Sequence, residues 1–289
     1  MDNQLIRPIK VSEISQALGI TYFGEDVFVT RVEAFSNIGV GALCFSKNSP
    51  NKPLPRGAVV ITPEELDAGC TLFIAKNPRL TYARILNWLN FHVGFERFTS
   101  EPKIDSTAAV SPRAHLGSGV VIGPRTRIGP FVVIHDGVVI GSDCEIKANS
   151  VIGDEGFGFE RDEIGIPIRI IHLGGVRIGN FVEIGNCNTV CRGVLADTVI
   201  EDYVKTDGHV HIGHNCHIGS RSMIIACAEL SGGVILEPDT WIGPNSSIIQ
   251  KVVIGRNAFV GIGATVTKSV EAGMSVAGNP ARAMVKVGI

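Results

Sequence analysis

From Ile200 to Val266 every sixth residue is aliphatic or small: Ile200, Thr206, Ile212, Ile218, Ile224, Leu230 and onward to Val260 and Val266. Two residues before each stands a second, mostly small set that includes Thr198, Val204, Val210, Cys216, Ser222 and Ala228. A helix repeats every 3.6 residues and a strand every 2, so neither alone accounts for a sustained period of six. A coil with three flat sides, one hexapeptide per side, turns both sets inward and stacks coil on coil at strand spacing, about 4.8 Å. The same count runs through Ile104, Val110, Leu116, Ile122, Ile128, Ile134, Ile140, Ile146 and Ile152. The pattern predicts a mainly β fold, a parallel β-helix of hexapeptide repeats over residues 101–272, ending in an exit segment over 273–289.

Glycines often follow the inward aliphatic (Gly117, Gly123, Gly129, Gly141, Gly153) and suit corners that need unusual backbone angles. The count fails over 154–176, in a glycine-rich, charged and aromatic segment. Its aromatic content favours an ordered loop, either contacting a ligand or neighbouring subunit through Phe157 and Phe159 or only covering the β-helix. The count resumes at Ile178, Ile184 and Val190 and then slips, which predicts a second, small insertion within Cys191–Thr198.

Residues 1–100 lack this period. Ser12–Leu18 followed by Gly19 reads as a short helix with a glycine stop, Leu80–Phe91 carries helical spacing, and Ala58–Ile61 and Thr71–Ala75 read as strands. The prediction is a small α/β domain. A filled β-helix leaves no room inside for a substrate, so a ligand binds outside, in a groove between packed copies.

Composition narrows the classes. With 289 residues, 45% of them hydrophobic, a formal charge of −2 and no long basic run, the chain lacks the electrostatic footprint of a nucleic-acid binder. The N-terminus has no apolar signal core and no run of about 20 apolar residues occurs, so no transmembrane segment is expected and the chain reads as cytoplasmic. Seven cysteines without a CxxC pair read as reduced, structural thiols. Cys144 and Cys216 stand at inward positions, whereas Cys187 and Cys191, spaced CxxxC, are open to either role.

The candidate chemistry lies in HVHIGHNCHIG. His211 and His217 precede inward aliphatics and point outward, while His214 lies at a corner beside Gly213. Eighteen residues on, Gly232 falls one coil away on the same edge, where a backbone N–H can approach a developing oxyanion. A general base beside an amide donor makes an acyl-transfer site, with Asp207 as the carboxylate that orients the imidazole. Outward histidines are also what solvated or inter-subunit contacts look like. A metal site whose three-ligand set neighbouring subunits complete, with His209, His214 and the distant His172 as candidates, is the sharper rival.

The segments FSKN (Phe45–Asn48), KNPRLTYAR (Lys76–Arg84), GDEGFGF (Gly153–Phe159), RGVLADTVI (Arg192–Ile200) and IGHNCHIG (Ile212–Gly219) resemble those of the UDP-3-O-acylglucosamine N-acyltransferases. That resemblance spans nearly the whole chain. It implies a nucleotide-binding N-terminal domain, a left-handed β-helix, a homotrimer, no bound cofactor, and transfer of a thioester-borne acyl group to the amine of a nucleotide-linked sugar. It also implies His214 as base, the Gly232 N–H as oxyanion donor, and Phe45 and Asn48 as contacts to the uracil. Lys251 stands where the family has a second active-site histidine, and Asn51 where it has a tyrosine against the base. The closing GNPAR is similar to hexapeptide acetyltransferases that hold coenzyme A along the outer coils, which suggests Gly278, Asn279, Pro280 and Arg282 as donor contacts.

The expectation placed first is therefore an N-acyltransferase of a nucleotide-linked amino sugar, drawing acetyl or another short acyl group from acyl-CoA for surface polysaccharide. The alternative is the lipid A enzyme itself, using a hydroxyacyl chain on acyl carrier protein. A γ-type zinc carbonic anhydrase and a non-catalytic scaffold are the rivals from other classes.

Overall fold

The computed structural model describes residues 3–48, 54–65 and 69–283. Two compact units make up the chain: one holds the residues up to Arg97 together with Phe157–Leu173, and the other holds Phe98–Gly156 and the chain from Gly174 onward.

In the first unit, β1 (Gln4–Lys10), β2 (Tyr22–Phe23), β3 (Phe28–Val32), β4 (Ala42–Phe45), β5 (Val59–Thr62) and β6 (Thr71–Ile74) form one sheet in the order β1-β3-β4-β5-β6-β2. Strands β3 to β6 run parallel, and the outer pairs are antiparallel. Helix α1 (Val11–Leu18) ends at Gly19 in the left-handed conformation (φ 65°), as the glycine stop requires. Helix α2 (Pro78–His92) starts with Pro78 behind an Asn77 cap that accepts the Leu80 N–H at 3.1 Å. Its inner face, including Leu80, Ile85, Leu86 and Leu89, is buried.

The predicted excursion is ordered, as a hairpin of Phe159–Arg161 against Pro167–Arg169. It packs with the N-terminal unit, a destination its sequence did not reveal. Arg79 pairs with Glu160, both Arg84 terminal nitrogens bond Glu163 (3.0 and 2.6 Å), and the Asn87 amide donates to the Arg169 carbonyl at 2.7 Å. The Arg169 guanidinium lies over the Phe159 ring, whose neighbour Phe157 is 89% exposed.

The second unit is the predicted β-helix. Two-residue strands stack into three parallel faces: the first begins at Lys103–Ile104, the second at Ala109–Val110 and the third at His115–Leu116. Register follows the six-residue count, Ile122 lying between Ile104 and Ile140. Inward positions form one core in which Ile134, Ile146, Val204, Ile212, Leu230 and Ile248 are fully buried. Inward hydroxyls are satisfied by the next coil, as in Thr126 to the Gly141 carbonyl and Ser150 to the Gly185 carbonyl, each 2.7 Å.

The glycine expectation needs correcting. Left-handed corner residues are mostly side-chain-bearing, among them Arg125, Phe131, Asp143 and Asn149, and of the five glycines singled out only Gly153 has positive φ. The others are glycine because coils touch there: a Cβ on Gly117 would overlap Asp136 Oδ1, and one on Gly141 would lie 2.5 Å from the Gly179 carbonyl oxygen.

All seven cysteines are free thiols. Burial pushes the thiols of Cys44 and Cys216 up to about 12 and that of Cys191 up to about 11, which suppresses the reactive thiolate. Cys187 and Cys191 form no disulfide, and Cys227 is exposed. At neutral pH a maleimide should therefore modify Cys227 first, with Cys44, Cys191 and Cys216 reacting only on unfolding, as mass mapping of the labelled protein would read out.

Candidate functional site

One edge of the β-helix, where the third face turns into the first, collects the irregular features. The hairpin excursion leaves it after Val151–Asp154 and returns before Val176–Ile178. The second insertion lies on it, between Thr189–Cys191 and Thr198–Ile200, as the slip in the count predicted. His214, Gly232 and Lys251 follow on the next three coils. Register shows the two additions: Ile140 pairs Ile178 and Ile178 pairs Ile200, after which Ile200 pairs Ile218 at the regular spacing.

His214 sits half-buried at its corner, with its ring over Gly232. The Cβ that Gly232 lacks would lie 2.5 Å from His214 Nε2 and 2.6 Å from Cε1, so only glycine leaves room for the imidazole. The Gly232 carbonyl accepts the Lys251 N–H at 3.1 Å and the Gly233 N–H bonds the His214 carbonyl at 2.8 Å, which tie three successive coils together. The Gly232 N–H itself has no hydrogen-bond acceptor among the described residues. An imidazole and an amide N–H without an acceptor among the described residues thus share one corner, one coil apart.

Asp207 does not orient this histidine within one chain. It lies on the edge between the second and third faces, exposed, and its carboxylate accepts the Gly208 N–H at 2.7 Å. The chain from Asp207 to His214 crosses a whole face, so nearness in sequence becomes separation in space. The partner of His214 Nδ1 is the side-chain oxygen of Asn215, 3.1 Å away, a contact the sequence reading missed. The neighbouring histidines are engaged elsewhere. His211 Nδ1 lies 2.6 Å from the Thr189 hydroxyl, and His217 Nε2 lies 2.7 Å from Glu201, whose carboxyl is held below its ordinary range chiefly by that bond.

Of the three histidines considered as metal ligands, His209 is a left-handed residue on the edge between the second and third faces, His214 is on the next edge of the β-helix, and His172 is a buried residue of the N-terminal unit. Among the described residues no group of three or more His, Cys, Asp or Glu side chains is placed to hold a metal ion.

In the N-terminal unit, Phe45 ends β4 with its ring 4.9 Å from that of Tyr82, and the exposed Asn48 follows, its carbonyl accepting the Ser46 hydroxyl at 2.6 Å. Both stand at the carboxyl end of the parallel strands, where open α/β sheets bind ligands. A cleft of about 890 Å³, lined by Glu25, Arg56, Gly57 and Gly69 among others, opens instead at the amino ends of β5 and β6. Asn51 lies outside the described residues. Gly278, Asn279, Pro280 and Arg282 lie at the last coil, where the Gly278 carbonyl accepts the Thr265 N–H at 3.0 Å. Thr265 is three coils beyond His211, about 14 Å along the helix, so one chain does not bring these residues to His214.

Comparison with known proteins gives the same architecture. The family described as bacterial transferase hexapeptide (six repeats) matches residues 119–154 and 233–268. The chain is 32% identical to a UDP-3-O-acylglucosamine N-acyltransferase of Campylobacter lari over 94% of its own length and 93% of the relative's. It is 31% identical to the protein of that name from Campylobacter curvus, over 93% and 92%. Among solved structures, a Francisella novicida UDP-N-acetylglucosamine acyltransferase superimposes with a TM-score of 0.52 at 26% identity, covering 64% of this chain and 68% of that one.

Proposed function

The chain belongs to the UDP-3-O-acylglucosamine N-acyltransferase family, and on that premise we propose that it moves a 3-hydroxyacyl group from a carrier-protein thioester to the amine of UDP-3-O-acylglucosamine, in lipid A synthesis. That it is an acyltransferase of nucleotide sugars follows from the family; the donor and acceptor are the proposal. The observation that carries it is the imidazole of His214 seated over Gly232, in a chain that matches such a relative over 94% of its own length and 93% of the relative's.

In the reaction, the sugar amine attacks the thioester carbonyl carbon and His214 Nε2 takes the amine proton. The oxyanion of the tetrahedral intermediate is received by the Gly232 N–H. The C–S bond then breaks, the thiolate leaves with the proton that His214 carried, and an amide and a free thiol result. No cofactor is needed. The N-terminal sheet holds the uridine through Phe45 and Asn48, a role supported by their place at the carboxyl ends of the strands.

Transfer of a short acyl group from acyl-CoA to another nucleotide-linked amino sugar, with Gly278, Asn279, Pro280 and Arg282 on the coenzyme, is the second reading. Lys251 favours it, since a cation replaces a histidine expected in the active site. The relatives' names support the first reading over it. We further propose a homotrimer working in the cytoplasm. Met223, Trp241 and Phe259 line the second face as an exposed apolar stripe suited to burial between copies, and no described helix is long and apolar enough to cross a membrane.

The purified protein should be given UDP-3-O-(3-hydroxyacyl)glucosamine with 3-hydroxyacyl carrier protein and, separately, acetyl-CoA with a panel of nucleotide-linked amino sugars. A nucleotide sugar heavier by one 3-hydroxyacyl group is expected from the first mixture. Acetylation in the second with silence in the first would replace the proposal by the short-chain reading.

A further inference from the structure

We infer that Asn215 is a positioning residue that fixes His214 as the Nδ1–H tautomer, leaving Nε2 as the proton acceptor, and that the insertion at 192–197 serves to hold the Asn215 amide the right way round. The inference rests on the catalytic role proposed for His214 but makes a claim about its protonation that stands apart from the substrate.

An asparagine oxygen and nitrogen are told apart only by their partners, and here both partners are backbone groups of fixed polarity. The Val194 N–H donates to Asn215 Oδ1 at 3.0 Å, and Asn215 Nδ2 donates to the Ala196 carbonyl at 2.9 Å. A flipped amide would set donor against donor and acceptor against acceptor. The Asn215 N–H is held as well, by the Thr198 hydroxyl at 2.8 Å. The residue occupies a left-handed corner (φ 58°), a conformation asparagine adopts more readily than most side chains.

With its orientation settled, Oδ1 faces His214 Nδ1 at 3.1 Å, and an acceptor in that place requires the ring nitrogen to carry hydrogen. The nitrogen left with a lone pair is Nε2, the atom nearest the vacant Cβ position of Gly232. The acceptor is neutral, so it selects the tautomer without adding the charge that a carboxylate would bring.

Both bonding atoms of the insertion exist only because the chain detours there. The detour is pinned in turn: the Gly193 and Gly174 backbones bond each other, and the Thr198 N–H bonds the Gly175 carbonyl at 3.0 Å. Gly193 cannot carry a side chain, since a Cβ there would overlap the Ala196 oxygen that Asn215 uses. The same edge makes no such detour on the following coils, where Ile200, Ile218, Leu236 and Ile254 pair in succession at the regular spacing. The insertion occurs where the histidine needs an oriented neighbour. Of the charged groups on the same edge, Asp197 holds the Gly175 N–H and Arg177, Asp154 accepts the Glu155 N–H, Arg192 donates to the Gly153 and Asp136 carbonyls, and Lys251 is two coils on from Asn215.

The test has two readouts. In protein labelled with ¹⁵N-histidine, with His214→Gln identifying the resonance, neutral His214 should show a pyrrole-type Nδ1 and a pyridine-type Nε2. An Nε2–H form, the one free imidazole prefers, would overturn the inference whatever the substrate proves to be. In the acyl-transfer assay, Asn215→Asp places a carboxylate against Nδ1–H and so stabilises the imidazolium. The acid limb of the kcat/KM profile should move to higher pH while the high-pH plateau is retained, and Asn215→Ala should lower kcat about 10-fold or more without raising KM. An Asn215→Asp profile that overlays the wild type would also overturn it. Loss of all transfer in the wild type would instead sink the proposed reaction and leave the tautomer measurement standing.

Discussion

Replacing His214 by alanine should lower kcat by about 10²-fold or more, the scale of a lost general base, and leave the melting temperature almost unchanged. The two halves of that expectation have separate causes. An amine attacking a thioester becomes cationic as it bonds, and without a proton acceptor the intermediate returns to reactants. The imidazole is half-buried at an outer corner and contributes nothing to the interior of the coil, whose core consists of Ile212, Ile218, Leu230 and their neighbours. Its removal therefore falls among surface substitutions, which change stability by about 0.5 kcal/mol or less. Thiol release measured beside a thermal melt checks both. A loss below tenfold would assign proton transfer to another group, and His211 and His217, outward on the flanking strands, would be the next substitutions.

The wild-type rate should also fall with acidification, because only neutral imidazole accepts a proton. The Glu201–His217 contact is structural and has its own pH dependence. Glu201 is held below its ordinary range, so that contact stabilises the fold above the unfolded carboxylate pKa and is lost as pH drops through the folded value. A pH–rate profile measured beside thermal melts at the same pH values checks both expectations.

Much of the β-helix was legible because each hexapeptide contributes the same two inward positions to one face, and stacking carries that period straight into register, as with Ile104, Ile122 and Ile140. The His214–Gly232 pair was legible for the same reason, being one coil apart on one edge. Orientation at corners was not. Asp207 looked closer to His214 than it is because distance along a coil is spent going round the prism. Asn215 looked like a mere corner residue because Asn149, Asn245 and Asn257 hold the same left-handed conformation without a histidine before them. What distinguishes Asn215 is the insertion that bonds its amide, and the slip in the count before Ile200 was its only trace in the sequence.

In the N-terminal unit the buried parallel strands β5 and β6 showed as apolar runs, whereas β1 did not. It is an edge strand carrying Pro8, with Ile6 outward and 65% exposed, so its pattern is broken where pairing is one-sided. The destination of the hairpin rested on ion pairs between α2 and residues some 80 positions away, such as Arg84 with Glu163, and no local pattern encodes such a pairing.

Gly232→Ala should be as damaging to activity as the loss of His214, about 10²- to 10³-fold, although it adds one methyl group and removes nothing. Its Cβ would stand 2.5 Å from His214 Nε2, far inside van der Waals contact, and the ring must swing off the amide it covers. The proposed base and the proposed oxyanion donor are then no longer presented to the same carbonyl. The fold should tolerate the change. Gly232 is not among the residues of positive φ, unlike its neighbour Gly233 at 73°, so alanine fits the backbone and reduces the freedom of the unfolded chain, worth up to about 1 kcal/mol in its favour. An enzyme that melts no lower than wild type but does not turn over separates a crowded site from a broken coil. The pair also makes a double-mutant cycle. If Gly232→Ala acts by displacing the imidazole, it should cost little further in a His214→Ala background, where the space is already empty, and the two losses will fall well short of multiplying. Full multiplication would mean that the methyl group blocks the amide or the substrate directly, and that Gly232 is constrained by the oxyanion rather than by the histidine above it.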